Sequence, residues 1–385
     1  MKRGFILLLL LEAVFTLAAC RQAATPEPLS IDATSTAEAT ATLAPTNTPL
    51  PTETAVPPAT NTPSPPPTET PEPTPTQGPN LLSLFDEMPV IEREQGNKYL
   101  NGGAVIFHDG QFHMFSNFFN FWPGETMTYY YTSPDGRSWT RAQEEPLFTI
   151  DDVSLDGRGA LVLSGLVQPD GTWTLYYHTF TSSSAEGEIG VATADDPLGP
   201  WTFRRTAVLR PGSRGEWDDL QVMRVNVLPQ EDGYVMYYAG VNRQSESRIG
   251  MAFSEDGISW EKYDDPTTSE APYADSDPIL EPVLEWEGRW LGRPEVVQTA
   301  DGWVMLYEGG GGNQTGLAVS EDGVRFERYA ANPILTRDNM VEGYTFFQGA
   351  LFHTDDTYFY LIEAGNGRVG TDIFLYTYEG SLFGE

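Results

Sequence analysis

Three arginines recur at near-constant spacing in a strongly acidic chain: Arg158, Arg224 and Arg293, 66 and 69 residues apart. Residues 81–385 carry 48 acidic side chains against 19 basic ones (17 Arg and 2 Lys), so cations there are scarce. A guanidinium stays charged, and its planar fork fits the two oxygens of a carboxylate or sulfate. Period-matched arginines aimed at one axis would make a positive pocket inside a negative shell. The same residues could instead pair locally with Asp156, Asp219 or Glu295 and tie elements together. Spacing alone leaves both readings open.

The elements that would carry these arginines repeat. A strand, a tight turn and an aromatic-rich strand recur five times, at Asp109-Gly110, Asp170-Gly171, Asp232-Gly233, Asp301-Gly302 and, degenerately, Asp355-Asp356. The spacings are 61, 62, 69 and 54 residues. Asp-Gly between alternating apolar residues is a strong hairpin signal, because a two-residue hairpin turn favours positive φ at both positions. About 20 residues after each of the first four turns comes a second hairpin. It reads Ser133-Pro134-Asp135-Gly136, Ser254-Glu255-Asp256-Gly257 and Ser320-Glu321-Asp322-Gly323, with a stretched copy over Thr193 to Trp201. Two hairpins per repeat give four antiparallel strands. Such units bury their faces only against each other, which predicts an all-β, five-bladed β-propeller of four-stranded antiparallel blades. Residues 81–92, ahead of the first complete repeat, are expected to pack against the last blade.

Five blades of this length, with Asp-Gly-aromatic second strands and Ala-x-Ser-x-Asp-Gly outer hairpins, resemble the arabinanase, levansucrase and invertase superfamily, which includes glycoside hydrolase families 43 and 32. The resemblance spans residues 95–380 and implies an axial pocket with three carboxylates at the starts of innermost strands. Glycoside hydrolysis needs two of them, one acid and one ionised partner. The expected first aspartate is missing, since blade one reads Asn101-Gly102-Gly103. Arg224 occupies the family's Asp-Pro position in blade three, with Asp218 and Asp219 five or six residues earlier. In blade four Arg293 precedes Glu295 by two.

The resemblance therefore gives Asp218, Asp219 and Glu295 as candidate catalytic residues, with Asp156 or Glu342 assisting. Arg158, Arg224 and Arg293 become candidate binders of an anionic sugar, and Trp122, Trp217, Trp290 and Tyr344 candidate stacking surfaces. Expected near the axis are Arg224 and Arg293, with Glu295 and at least one of Asp218 and Asp219 beside them. The function implied is a glycosidase acting on a poly- or oligosaccharide. The alternative is a propeller that binds glycans without turnover. No cofactor is expected. Relatives of this fold sometimes hold axial calcium, but no residues here are assignable to it.

The first twenty residues read as an export signal, with Lys2-Arg3 ahead of the apolar run Phe5 to Leu11. Leu17-Ala18-Ala19-Cys20 resembles the lipobox of bacterial lipoproteins, whose cysteine is acylated; the competing reading is a secretory peptide cut near Ala19. Residues 21–80 form a disordered linker. Over residues 23–80 it holds 15 Pro and 15 Thr with no aromatic or basic residue, too little apolar surface to offset its chain entropy. The folded domain is expected over residues 81–385, outside the cell and tethered to the membrane by lipid alone. A monomer is expected.

Composition narrows the field further. A net charge of −33 disfavours nucleic acid as a partner. A single cysteine excludes a disulfide framework and thiolate metal sites. The four histidines show no metal-ligand spacing.

Overall fold

The computed structural model describes residues 81–94, 98–121, 123–180, 187–340, 342–366 and 368–383. Cys20, the leader, the linker and Trp122 lie outside the described residues.

Five antiparallel sheets follow one another along the chain. Their first strands are Tyr99–His108, Gly159–Val167, Gln221–Gln230, Leu291–Thr299 and Thr345–Thr354. Each of these touches the first strands of both neighbouring sheets, so the five close a ring around an axis. The molecule is a five-bladed propeller. Helix among the described residues is confined to three three-residue 3-10 turns, at Ile150–Asp152, Glu285–Glu287 and Arg337–Asn339.

The five repeated Asp turns join first strands to second strands, namely Gln111–Phe119, Trp173–Phe180, Gly233–Val241, Gly302–Gly309 and Thr357–Asn366. Asp109 and Gly110 both take positive φ, 49° and 75°, as a two-residue turn of that type demands. In blades three and four the glycine alone does so, at 134° and 138°.

Outer hairpins fold through one carboxylate each. Asp256 Oδ1 accepts the backbone N–H groups of Ile258 and Ser259 at 2.8 and 2.7 Å, and Asp135 and Asp322 repeat the arrangement. The glycine of the hairpin then docks beneath the preceding blade. The Tyr176 hydroxyl donates to the Gly257 carbonyl at 3.0 Å, and the Tyr237 hydroxyl to that of Gly323 at 2.7 Å.

Apolar residues from adjacent blades meet in shared cores. Val235, Tyr237, Ile249 and Met251 of blade three pack on Val296, Trp303, Met305 and Tyr307 of blade four. The side chains alternate along each strand, so every blade needs a neighbour on both faces. Blade five finds its outer strand at the other end of the domain. Ser83 and Leu84 pair antiparallel with Thr377 and Tyr376, Leu81 and Leu82 are buried in the last core, and Arg93 binds Asp372 at 2.6 Å.

Candidate active site

Every first strand is interrupted by a β-bulge near its start. The irregularities fall between Asn101 and Ala104, Val162 and Ser164, Met223 and Asn226, Gly292 and Glu295, and Phe347 and Ala350. A bulge bends the strand and re-aims side chains, which is why bulges gather beside functional sites. In blades three and four the first extra residue is Arg224 or Arg293, and both adopt left-handed backbone, with φ of 57° and 46°. That conformation costs an L-residue about 1 kcal/mol or more. The two arginines are held there by the bulge, not by backbone preference.

Opposite the last paired residue before each bulge stands one position of the second strand. Asn101 faces Asn117, Val162 faces Tyr177, Met223 faces Ala239, Gly292 faces Glu308 and Phe347 faces Glu363, with His178 of blade two one pair earlier, opposite Leu161. One register position in five blades thus supplies two carboxylates in adjacent blades.

These residues meet in an axial cavity of about 300 Å3. It is lined by Asn101, Arg224, Arg293, Glu308 and Glu363, with Tyr99, Phe119, Trp290 and Phe347 as aromatic walls. Arg293 Nε lies 3.2 Å from Glu308 Oε2, both side chains being 12% exposed. Glu363 is buried, and each of its oxygens accepts one bond: Thr371 Oγ1 donates to Oε1 at 2.7 Å and Asn101 Nδ2 to Oε2 at 3.3 Å. Burial pushes the Glu363 carboxyl above the ordinary glutamate range, although Thr371, Asn101 and both arginines pull the other way. Arg224 Nε and Nη1 are shielded from solvent and have no hydrogen-bond partner among the described residues. Burial, helped by repulsion from Arg293, lowers the Arg224 guanidinium to about 9. His178 is buried beside the arginines and driven well below its usual value, first by desolvation and then by both guanidiniums.

Three solved structures show how widely this architecture is used. A glycoside hydrolase aligns with a TM-score of 0.59 at 15% identity, over 77% of this chain and 92% of its own. A family 117 glycoside hydrolase of the marine bacterium Zobellia galactanivorans aligns at 0.54 and 17%, over 80% and 93%. A GH43_1 enzyme of Xanthomonas citri, solved with xylotriose, aligns at 0.53 and 14%, over 75% and 88%. The chain has the propeller fold of glycoside hydrolases. No protein-family model matches it, and no curated protein matches it in sequence.

Within this propeller the expected site residues separate into three groups. Arg224, Arg293 and Trp290 line the axial cavity. Glu295 does not. It lines a second cavity of about 440 Å3 further along the first strands, and its Oε2 accepts the Leu351 N–H at 3.2 Å. The bulge is the reason, since it sets Arg293 and Pro294 against the single residue Tyr307 and so turns Arg293 and Glu295 toward different levels of the axis. Asp218 and Asp219 lie outside both cavities. Asp218 is buried against Lys262 Nζ at 2.6 Å and the Tyr238 hydroxyl at 3.3 Å, and Asp219 pairs with Arg243.

The remaining candidates lie elsewhere. Trp217 is fully buried, stacked on Tyr238 with Nε1 bonded to Ser276. Tyr344 packs in the last core beside Phe374. Arg158 is exposed, and neither it, Asp156 nor Glu342 lines the cavity.

Glu308 and Glu363 sit in apolar runs, Leu306-Tyr307-Glu308 and Leu361-Ile362-Glu363, where a single acid carries no local motif. Their signal was positional: seven or eight residues past the turn aspartate, where blades one and two carry Asn117 and His178.

Among the described residues no group of three or more His, Cys, Asp or Glu is arranged to hold a metal ion. The guanidiniums of Arg224 and Arg293 also oppose a divalent cation in the axial cavity, so its residues do not fit calcium.

Proposed function

We propose that this propeller is a glycosidase that hydrolyses a poly- or oligosaccharide containing an anionic sugar, with Glu363 and Glu308 as its carboxylate pair. The observation that carries the reading is their shared register position, which brings two acids of unlike surroundings to one aromatic-walled cavity. Hydrolysis of a glycosidic bond needs a protonated carboxyl to release the leaving oxygen and a carboxylate to support the developing positive charge. Glu363, pushed toward its neutral form by burial, suits the first task. Glu308, paired with Arg293, suits the second. Proton transfer from Glu363 to the glycosidic oxygen breaks the bond, and water supplies the hydroxyl and the returning proton. Tyr99, Phe119, Trp290 and Phe347 offer faces for the sugar ring. Acylation at Cys20 and the linker of residues 21–80 would hold the domain outside the cell near its membrane.

The bulge arginines favour a second reading, a glycan-binding propeller without turnover, because they stand where the resembling enzymes keep acids. Product analysis on a panel of plant and bacterial polysaccharides separates the two. Release of sugars by the wild type, lost by a factor of 10³ or more in both Glu363→Gln and Glu308→Gln with binding retained, supports hydrolysis. Binding with no product from any member of the panel supports the second reading.

A further inference from the structure

We infer that Arg224 is the recognition residue for a carboxylate carried by the sugar in the axial cavity, making hexuronic acid residues the preferred occupants. This inference rests on the reading of the cavity as a glycan site and deepens it.

With Glu363 pushed toward its neutral form by burial, the cavity lining is out of electrical balance. It holds two guanidiniums, Arg224 and Arg293. Opposite them stand Glu308, already paired with Arg293, and Glu363, whose two oxygens each accept one hydrogen bond, from Thr371 and Asn101. Arg224 is left with Nε and Nη1 shielded from water and without a hydrogen-bond partner among the described residues. A buried charge with unmet donors is costly to keep, and an anion in the cavity beside the guanidinium recovers part of that cost. The backbone points the same way. Arg224 sits at φ 57°, where glycine would be relaxed, so the fold accepts local strain to present this side chain. The neighbouring groups do not compete for the role, because buried His178 stays neutral beside the arginines and Asn101 is committed to Glu363 and Gly103.

An ionised carboxylate supplies what the site lacks: one negative charge and acceptor oxygens on a group small enough for the cavity. Its attachment to a pyranose ring leaves the ring faces free for the aromatic walls. A neutral hexose of the same size offers a hydroxymethyl group in that place, which brings no charge and leaves the guanidinium uncompensated. The excess positive charge is local. It lies inside a domain whose acidic surplus repels anionic polymers from the outer surface, so selectivity comes from the cavity and not from the domain's long-range field.

The test uses Glu363→Gln protein, so that binding is read without turnover, with calorimetry and thermal shift as readouts. The probes are methyl glycosides of glucuronic and galacturonic acid, the matching neutral methyl glucoside and galactoside, and sodium sulfate. We expect a uronide to bind at least tenfold more tightly than its neutral twin. The preference should vanish in Arg224→Gly and Arg224→Gln, the glycine variant keeping or raising the melting temperature because it relaxes the backbone. Neutral glycosides binding as tightly as uronides, or the preference surviving both substitutions, would overturn the inference while leaving a glycan site intact. Sulfate binding tighter than either uronide would assign the site to sulfate esters and overturn the carboxylate. Failure of every glycoside to bind would sink the glycan reading itself.

Discussion

Glu308 and Glu363 occupy the same register position in adjacent blades, each paired with the last residue before its blade's bulge. Their environments differ by what the neighbouring chain offers. Glu308 faces Arg293, whereas Glu363 is enclosed by Thr371 of its own blade and Asn101 of blade one. A repeat thus supplies equivalent positions, and the local neighbours give them different acid–base character.

The pH dependence of turnover follows from Glu363. Its folded value is raised, so the protonated form persists above the ordinary glutamate range and is lost as pH climbs through the raised value. Turnover should therefore fall on the alkaline side with an inflection above 4.5, the ordinary glutamate value. Asn101→Ala removes one bond that favours the ionised form and should move the inflection upward. A pH–rate profile of both proteins checks the direction.

Glu295 is expected to act on stability instead. Burial holds its carboxyl well above the usual value. The folded protein therefore binds a proton that the unfolded chain has released, and stability falls as pH rises from the ordinary glutamate range through the raised value. Glu295→Gln keeps an acceptor for the Leu351 N–H and should flatten that slope. Glu295→Ala flattens the slope too but leaves the N–H unmet, at a cost of about 2 kcal/mol at acidic pH that shrinks as pH rises. Urea unfolding at several pH values distinguishes the three proteins.

The tyrosine contacts between blades are separable from the cavity. Tyr237→Phe removes one hydroxyl donated to Gly323 and should destabilise by about 1 kcal/mol. Sugar affinity should not change, because the contact lies at an outer hairpin. Denaturation midpoints and calorimetry on the same variant test both halves.

Cys20 carries the localisation proposal. Cys20→Ser should shift the domain from the membrane fraction to the soluble extracellular fraction, and an inhibitor of lipoprotein signal peptidase should block maturation. Unchanged membrane retention under both conditions would refute acylation at this residue.

The fold was legible because its signals are local. Asp-Gly turns, outer hairpin carboxylates and alternating aromatics each act over a few residues, and they repeat. The site was legible only in part. Arg224 and Arg293 follow from counting along first strands and Trp290 from its aromatic ring, but the same count places Glu295 beside the arginines. A bulge adds residues without a mark in the sequence, so counting across it assigns side chains to the wrong level of the axis. Asp218 and Asp219 misled for a different reason. In a domain this acidic a buried carboxylate paired with Lys262 or Arg243 looks the same in sequence as a catalytic one.

Three of the five seams between first strands share one pattern. Ser164 Oγ accepts the Val227 N–H, Asn226 Oδ1 that of Val296, and Glu295 Oε2 that of Leu351, at 2.8, 3.3 and 3.2 Å. In all three the donor is main chain, which every non-proline residue provides. The acceptor can accordingly drift among serine, asparagine and glutamate without any matching change in the next blade. Duplicated blades joined this way are free to diverge one at a time, so a mutation that rebuilds the pocket in one blade does not have to wait for its neighbour.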